Sequence, residues 1–244
     1  RYAGNGFLLA STGTGSVAVL QPDTTPPTVT VAQAAGQADP TNGSPVRFTV
    51  TFSEPVTGFA AADVSLAAST AGGTLAATVT GGPAVYTVAL AGMTSPGTVV
   101  ATVGAGAALD GAGNPSAAAT NTDNTVAFDA TGPTVACSAS PAIVRGNNHK
   151  LAAISVTVTA SDGGSAAPFV LVSVTSNQAD SGAGRGDVAG DIQGWTAGIP
   201  DTAGQVRIER YLTDRVYTMT YRATDAAGRV ITPKGAASGV SPTG

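Results

Sequence analysis

A seven-residue phrase stands twice in this chain. Asp23-Thr24-Thr25-Pro26-Pro27-Thr28-Val29 returns as Asp129-Ala130-Thr131-Gly132-Pro133-Thr134-Val135, 106 residues later and with two substitutions. A looser echo pairs Asp110-Gly111-Ala112-Gly113-Asn114 with Asp225-Ala226-Ala227-Gly228-Arg229. The first phrase reads as a linker entering a strand, because proline fixes its own φ and holds the residue before it extended. The second reads as a turn ahead of a last strand. A period near one hundred residues, with opening and closing marks, means small domains in tandem. Two domains of about 100 residues each account for the 244-residue length. Domains of that size fold without disulfides or metals.

The marks set the boundaries. Residues 1–22 are expected to be the tail of a preceding module, a hairpin with Tyr2, Phe7, Leu8 and Leu9 before a Gly/Ser/Thr turn and Val17, Val19 and Leu20 after it. Residues 23–129 form the first domain and 130–232 the second, with a last strand that stops short. Residues 233–244, rich in Gly, Ser and Pro, read as a flexible tail. The chain opens on Arg1 rather than Met, so it is expected to be a piece of a longer protein.

Within these limits the apolar residues recur with period two, the mark of half-buried strands. Val46, Phe48, Val50 and Phe52 share one face, and Arg47, Thr49 and Thr51 the other. Tyr86, Val88 and Leu90 repeat the pattern, as do Ile154, Val156 and Val158, then Val170, Val172 and Val174, then Tyr217, Met219 and Tyr221. Gly72-Gly73, Gly81-Gly82-Pro83 and Ser95-Pro96-Gly97 punctuate the runs. No window has helical periodicity. Short strands at 8–12-residue spacing predict antiparallel sandwiches, so the fold class is all-β.

Charge narrows the partners. Residues 1–130 hold two basic and seven acidic side chains; residues 131–244 hold nine and eight. Neither half has the basic surface that phosphate backbones require, which argues against nucleic acid. No apolar run approaches the roughly 18 residues of a membrane-spanning helix. Cys137 is the only cysteine, which excludes an internal disulfide and cysteine-based zinc sites. It falls in phase with Val135 and Ala139 and is expected to pack as a small apolar residue.

Residues 23–129 resemble a bacterial immunoglobulin-like repeat. The phrases that carry the resemblance are Asp23 to Val29, Gly36-Gln37-Ala38-Asp39-Pro40-Thr41-Asn42, Phe52-Ser53-Glu54-Pro55-Val56-Thr57-Gly58-Phe59, Asp63-Val64, Asp110 to Asn114 and Thr122-Asp123-Asn124-Thr125-Val126. Residues 130–232 are similar to a second immunoglobulin-like module, through Asn148-His149-Lys150-Leu151, Ser173 to Asn177, Gly186-Asp187, Asp191-Ile192-Gln193, Glu209-Arg210 and Arg215 to Tyr221. The resemblance implies two tandem immunoglobulin-like antiparallel β-sandwiches, used as spacers in adhesins and other exported proteins. It also implies a second cysteine after Asp162, where this chain has Gly163-Gly164.

Candidate sites follow from oxygen-rich loops. Calcium takes six to eight oxygens from carboxylates, amides and backbone carbonyls. Asp23 and Asp129 stand at domain joints, and Glu54, Asp63, Asp110, Asn114 and Asp123 lie in loops, so these seven are the candidate calcium ligands. The competing reading is that they cap turns. Asp180, Asp187 and Asp191 sit among glycines in a long 177–204 connection and form a second candidate cation loop. That loop contains Arg185-Gly186-Asp187, the tripeptide integrins read. Trp195 is a candidate ligand contact or a cover for a core edge. Arg207, Glu209 and Arg210 are expected to point mainly to solvent.

His149 is the only histidine, and no nucleophile-elbow motif accompanies it. It is expected to hydrogen-bond or pack rather than catalyse. No catalytic residue is assigned, and no cofactor is required beyond candidate calcium. The chain reads as a non-enzymatic stalk of a bacterial secreted or cell-surface protein. Its partners are neighbouring domains of the same chain and a candidate surface glycan or protein ligand. The alternative is an accessory carbohydrate- or protein-binding module attached to a secreted enzyme, using Trp195 and the 177–204 loop.

Overall fold

The computed structural model describes residues 21–146, 148–163, 165–180, 188–209, 213–231 and 234–241. The hairpin expected within residues 1–22 falls almost wholly outside the described residues. The chain divides between Ala130 and Thr131 into two compact units. No helix among the described residues is long and apolar enough to cross a membrane.

The first unit contains β1 (Val29–Gln33), β2 (Val46–Phe52), β3 (Val64–Ser65), β4 (Gly73–Gly81), β5 (Val85–Met93), β6 (Gly97–Val100), β7 (Thr102–Val103), β8 (Thr120–Asp123) and β9 (Thr125–Phe128). One sheet runs β4-β5-β2-β1-β8, antiparallel except where β1 meets β8. The pairs β3-β7 and β6-β9 lie opposite it. The period-two pattern is what closes the sandwich. Val46, Phe48, Val50 and Phe52 are buried while Arg47 and Thr51 are exposed. They meet Val29, Val31, Val88 and Leu90 from the same sheet and Val99, Val103 and Val126 from the other side. Phe52, Phe59 and Tyr86 stack edge to face at one end, with centroids 5.0 to 5.9 Å apart.

The second unit contains β10 (Thr134–Ser140), β11 (Ile143–Arg145), β12 (Leu151–Asp162), β13 (Ser165–Ala166), β14 (Phe169–Ser176), β15 (Ile192–Gln193), β16 (Ala203–Arg207), β17 (Arg215–Ala223) and β18 (Lys234–Ser241). One sheet runs β10-β12-β16-β15, with β13 on β12; the other runs β11-β18-β17-β14. Ile154, Val156 and Val206 face Val144, Leu171, Tyr217, Met219 and Tyr221 across a separate core. Cys137, half-buried opposite Val158, packs against it.

Two expectations need correction here. Val170, Val172 and Val174 do not share a face: a bulge between Leu171 and Ser173 shifts the register against β17. A bulge inserts one unpaired residue and reverses the alternation beyond it. Leu171 is therefore buried and Val172 is exposed. The flexible tail is also replaced by structure, because residues 234–241 are strand β18. This strand lies between β11 and β17, paired parallel to one and antiparallel to the other. Its sequence, Lys-Gly-Ala-Ala-Ser-Gly-Val-Ser, is apolar only at small residues. What recruits it is the need of two neighbouring strands for backbone partners.

Candidate functional site

The echoed turn is one local structure built twice. In the first unit the Asp110 N–H donates to the Asn114 carbonyl at 3.1 Å, and the Gly113 N–H to the Asp110 carbonyl at 3.2 Å. Asp110 Oδ1 accepts the N–H groups of Ala112 and Asn114, both at 2.8 Å. In the second unit the Asp225 N–H donates to the Arg229 carbonyl at 3.0 Å, and the Gly228 N–H to the Asp225 carbonyl at 3.2 Å. Asp225 Oδ1 accepts the Arg229 N–H at 2.7 Å. Gly113 and Gly228 take the same left-handed position, φ 89° and 82°, which strains any residue with a Cβ. Both aspartates are buried. Burial alone would raise the pKa of Asp110. Hydrogen bonds from the Asn114 side chain and from the Asn114, Ala112 and Gly113 backbone outweigh it and hold the carboxyl below its ordinary range.

Around that first turn, four of the seven candidate calcium ligands meet. Asp23, Glu54 and Asp110 each bring a carboxylate oxygen within 4.8 Å of the other two. Asn114 Nδ2 donates to Asp110 Oδ2 at 2.8 Å and to the Asp23 carbonyl at 3.1 Å. The other three are not part of this group, because nearer backbone and side-chain groups hold them elsewhere. Asp63 accepts the Ala60 N–H at 2.9 Å across a short 3-10 turn, Ala61–Asp63. Asp123 accepts Gln33 Nε2 at 3.1 Å. Asp129 follows β9, with its N–H on the Thr41 carbonyl at 2.8 Å. Asp39, absent from the sequence-based set, accepts from both Gln33 Nε2 and the Ala127 N–H at 2.9 Å.

The second candidate loop resolves differently. Asp187 and the Arg185-Gly186-Asp187 tripeptide lie outside the described residues. Asp180 accepts the N–H of Gly190 at 2.8 Å and that of Asp191 at 3.2 Å, which ties the two ends of the loop together. The Asp191 side chain turns away from the loop and is fully buried. There it pairs with the Arg215 guanidinium.

Arg215 organises a buried ionic cluster. The same Nη1 that meets Asp191 donates to Glu209 Oε1 at 3.1 Å, and Nη2 donates to the Ala179 carbonyl at 2.8 Å. Glu209 Oε2 lies 3.0 Å from His149 Nδ1 and accepts the Val188 N–H at 3.3 Å. Arg207 donates to the carbonyls of His149 at 2.8 Å and of Ala189 and Gly190 at 3.1 Å. The Tyr217 hydroxyl donates to the Arg207 carbonyl at 2.9 Å. Arg207 and Glu209 therefore do not face solvent as expected. The polar rim at the end of β16 is covered by the 188–191 segment, so those charges are buried and must be paired. Arg210 lies outside the described residues.

Burial raises the Asp191 carboxyl to about 7, and the neighbouring Glu209 adds to the effect against the pull of Arg215. Burial likewise pushes the Tyr217 hydroxyl up to about 12. Removing one member of such a cluster strands a buried charge at a cost of about 3–5 kcal/mol. Its chemistry is that of a staple: ion pairs and hydrogen bonds from Arg207, Glu209 and Arg215 pin the long connection to the sandwich. Sequence carried one sign of it. Arg215 is in phase with Tyr217, Met219 and Tyr221, a charge on the buried face of a strand.

Trp195 is half-buried and packs against the second core. Its indole lies so close to Gly204 that a Cβ there would run into the ring. The indole N–H is buried and has no acceptor among the described residues. The indole N–H is therefore turned away from solvent.

Two antiparallel β-sandwich units, each with its own core, define the class: immunoglobulin-like β-sandwich modules. Within it, residues 23–128 match the family model of the bacterial Ig-like domain, so that stretch is similar to that family. Among solved structures, the fibronectin(III)-like modules of Clostridium thermocellum CbhA are 16% identical, over 85% of this chain and 92% of that one. The TM-score is 0.32, and the likeness carries no argument. No curated protein matches the chain.

Proposed function

We propose that this chain is a non-enzymatic spacer, a stalk or extender segment of a bacterial secreted or cell-surface protein with an adhesive role. What supports the reading is the succession of two self-contained sandwich units, each with its own core. Their most distinctive polar groups are spent on holding loops. A spacer acts through length and stiffness, so its sequence should be replaceable. In the full protein, exchange of both units for unrelated sandwiches of equal length should leave surface-directed activity unchanged. Loss of that activity after the exchange would overturn the spacer role in favour of a specific binding module.

Calcium belongs to the same proposal. Asp23, Glu54 and Asp110 supply carboxylate oxygens of the kind a hard cation needs, and Asn114 braces Asp110 and Asp23 through its Nδ2. Asp110 has three of its lone pairs on N–H donors, so Glu54 and Asp23 would be the principal ligands. An ion here would offset their mutual repulsion and fix Asp23, which leads into Pro26-Pro27. Added calcium should raise the first unit's melting temperature, EDTA should reverse this, and Glu54→Gln should blunt it. An unchanged melt removes the cation and leaves the spacer reading standing.

A further inference from the structure

Strand β4 is the outermost strand of its sheet, and among the described residues no strand pairs with its far side. An open edge of unpaired N–H and C=O groups is a template for another strand. Proteins usually blunt such edges by shortness, charge or proline. The opposite edge, β8, has four residues and ends in Asp123. By contrast β4 has nine residues, with neither a charge nor a proline among them. Only a bulge near its start, between Gly73 and Ala76, departs from regular pairing.

The sequence of β4 is Gly-Thr-Leu-Ala-Ala-Thr-Val-Thr-Gly, almost a palindrome about Ala77. Gly73 mirrors Gly81 and Thr74 mirrors Thr80; Leu75 answers to Val79, both aliphatic, and Ala76 to Thr78. An antiparallel strand paired with its own copy sets these residues directly opposite each other across a two-fold axis. Thr–Thr and aliphatic pairs stabilise a ladder, whereas like charges would oppose it. The faces agree as well. Leu75, Ala77 and Val79 are half-buried against the core, and Thr74, Ala76, Thr78 and Thr80 are exposed. In the pairing, aliphatic residues therefore meet on one face, and on the other Thr74 meets Thr80 and Ala76 meets Thr78.

A groove of about 420 Å³ opens beside this edge, lined by Phe59, Val79 and Tyr86 among others. In the two-fold pairing Leu75 of the second copy stands opposite Val79 and on the same face. The pairing would set that side chain beside the groove, and the symmetry would do the same at the other copy.

We propose that the β4 edge pairs antiparallel with the β4 edge of a second copy of this chain, joining two first-unit sheets across a two-fold axis at Ala77. One edge of this length buries less than the roughly 1,000 Å² of a stable interface, so the isolated pair is weak. It becomes effective when copies are held side by side, because tethering raises their local concentration. The pairing does not depend on the spacer role.

Sedimentation of the 244-residue chain from roughly 10 μM to roughly 1 mM tests it. The average mass should climb towards twice that of the monomer. Thr78→Lys, at an exposed edge position, should abolish the climb without changing the melting temperature. In a Cys137→Ala background, Ala77→Cys should form a disulfide-linked dimer under oxidation. A wild-type chain that stays monomeric throughout overturns the proposal, as would happen if another segment closed the edge. Self-association that survives Thr78→Lys, or dimers that do not cross-link at position 77, overturns it too.

Discussion

Trp195 owes its position to the absence of a side chain at Gly204, whose Cα faces the indole on strand β16. Gly204 lies outside the left-handed φ region, so alanine meets no backbone strain there. The cost of Gly204→Ala is therefore overpacking alone, about 1–3 kcal/mol. For a unit of this size that lowers the melting temperature by about 5–15 °C. Trp195 is the only tryptophan, so its emission follows the second unit and should shift to the red in the variant. Gly132→Ala is the control, because a Cβ there meets nothing within 4 Å. A Gly204→Ala protein that melts like the wild type would refute this account of Trp195. Single residues were legible in the sequence where their chemistry is local. Asp110 and Asp225, each followed three residues on by glycine, read as a repeated turn and build one. Gly204 did not, because its neighbour Trp195 is brought to it by the fold.

At the scale of an element, the 188–191 segment is held down by charges on β16, β17 and the loop after β16, and Asp191 is the one whose proton matters. The carboxyl has an ordinary value of 3.8 when unfolded and rises to about 7 when buried beside Glu209. Between those limits the folded chain retains a proton that the unfolded chain has released. Stability from this group is complete below the unfolded value and is lost as pH rises through about 7. The second unit should therefore melt lower at pH 8 than at pH 5. Asp191→Asn lowers the melt at both values but should flatten the difference, because asparagine cannot ionise. An unchanged slope in the variant would show that Asp191 titrates normally. This cluster was only faintly legible in the sequence. Strand alternation located Tyr217, Met219 and Tyr221 correctly, but Arg207 and Glu209 read as exposed. Period-two reasoning sees one strand at a time and not the segment folded over its end. Likewise one bulge after Leu171 undid the alternation of Val170, Val172 and Val174.

At the scale of the molecule, the tandem plan was legible because the linker phrase and the turn phrase each recur, with two substitutions apiece. The closing strand was not legible, since Lys234 to Ser241 has no alternating apolar face to announce it. Its role rests on backbone pairing, seven residue pairs with β17 and three with β11. At about 0.5–1.5 kcal/mol net per hydrogen bond, those ladders rival the 5–15 kcal/mol that holds a whole domain together. Strand β17 also carries Tyr217, Met219 and Tyr221, three fully buried side chains of the second core, so loosening it opens that core. A chain ending at Thr232 should thus lose the cooperative thermal transition that Trp195 fluorescence reports. The first unit has its own core, so its transition, followed by the circular dichroism of its sheets, should stay where it is in the full chain. If residues 233–244 were a tail, both transitions would survive the truncation. If both were lost, the two units would be one folding body. Loss of the second alone is the outcome that two independent sandwiches require.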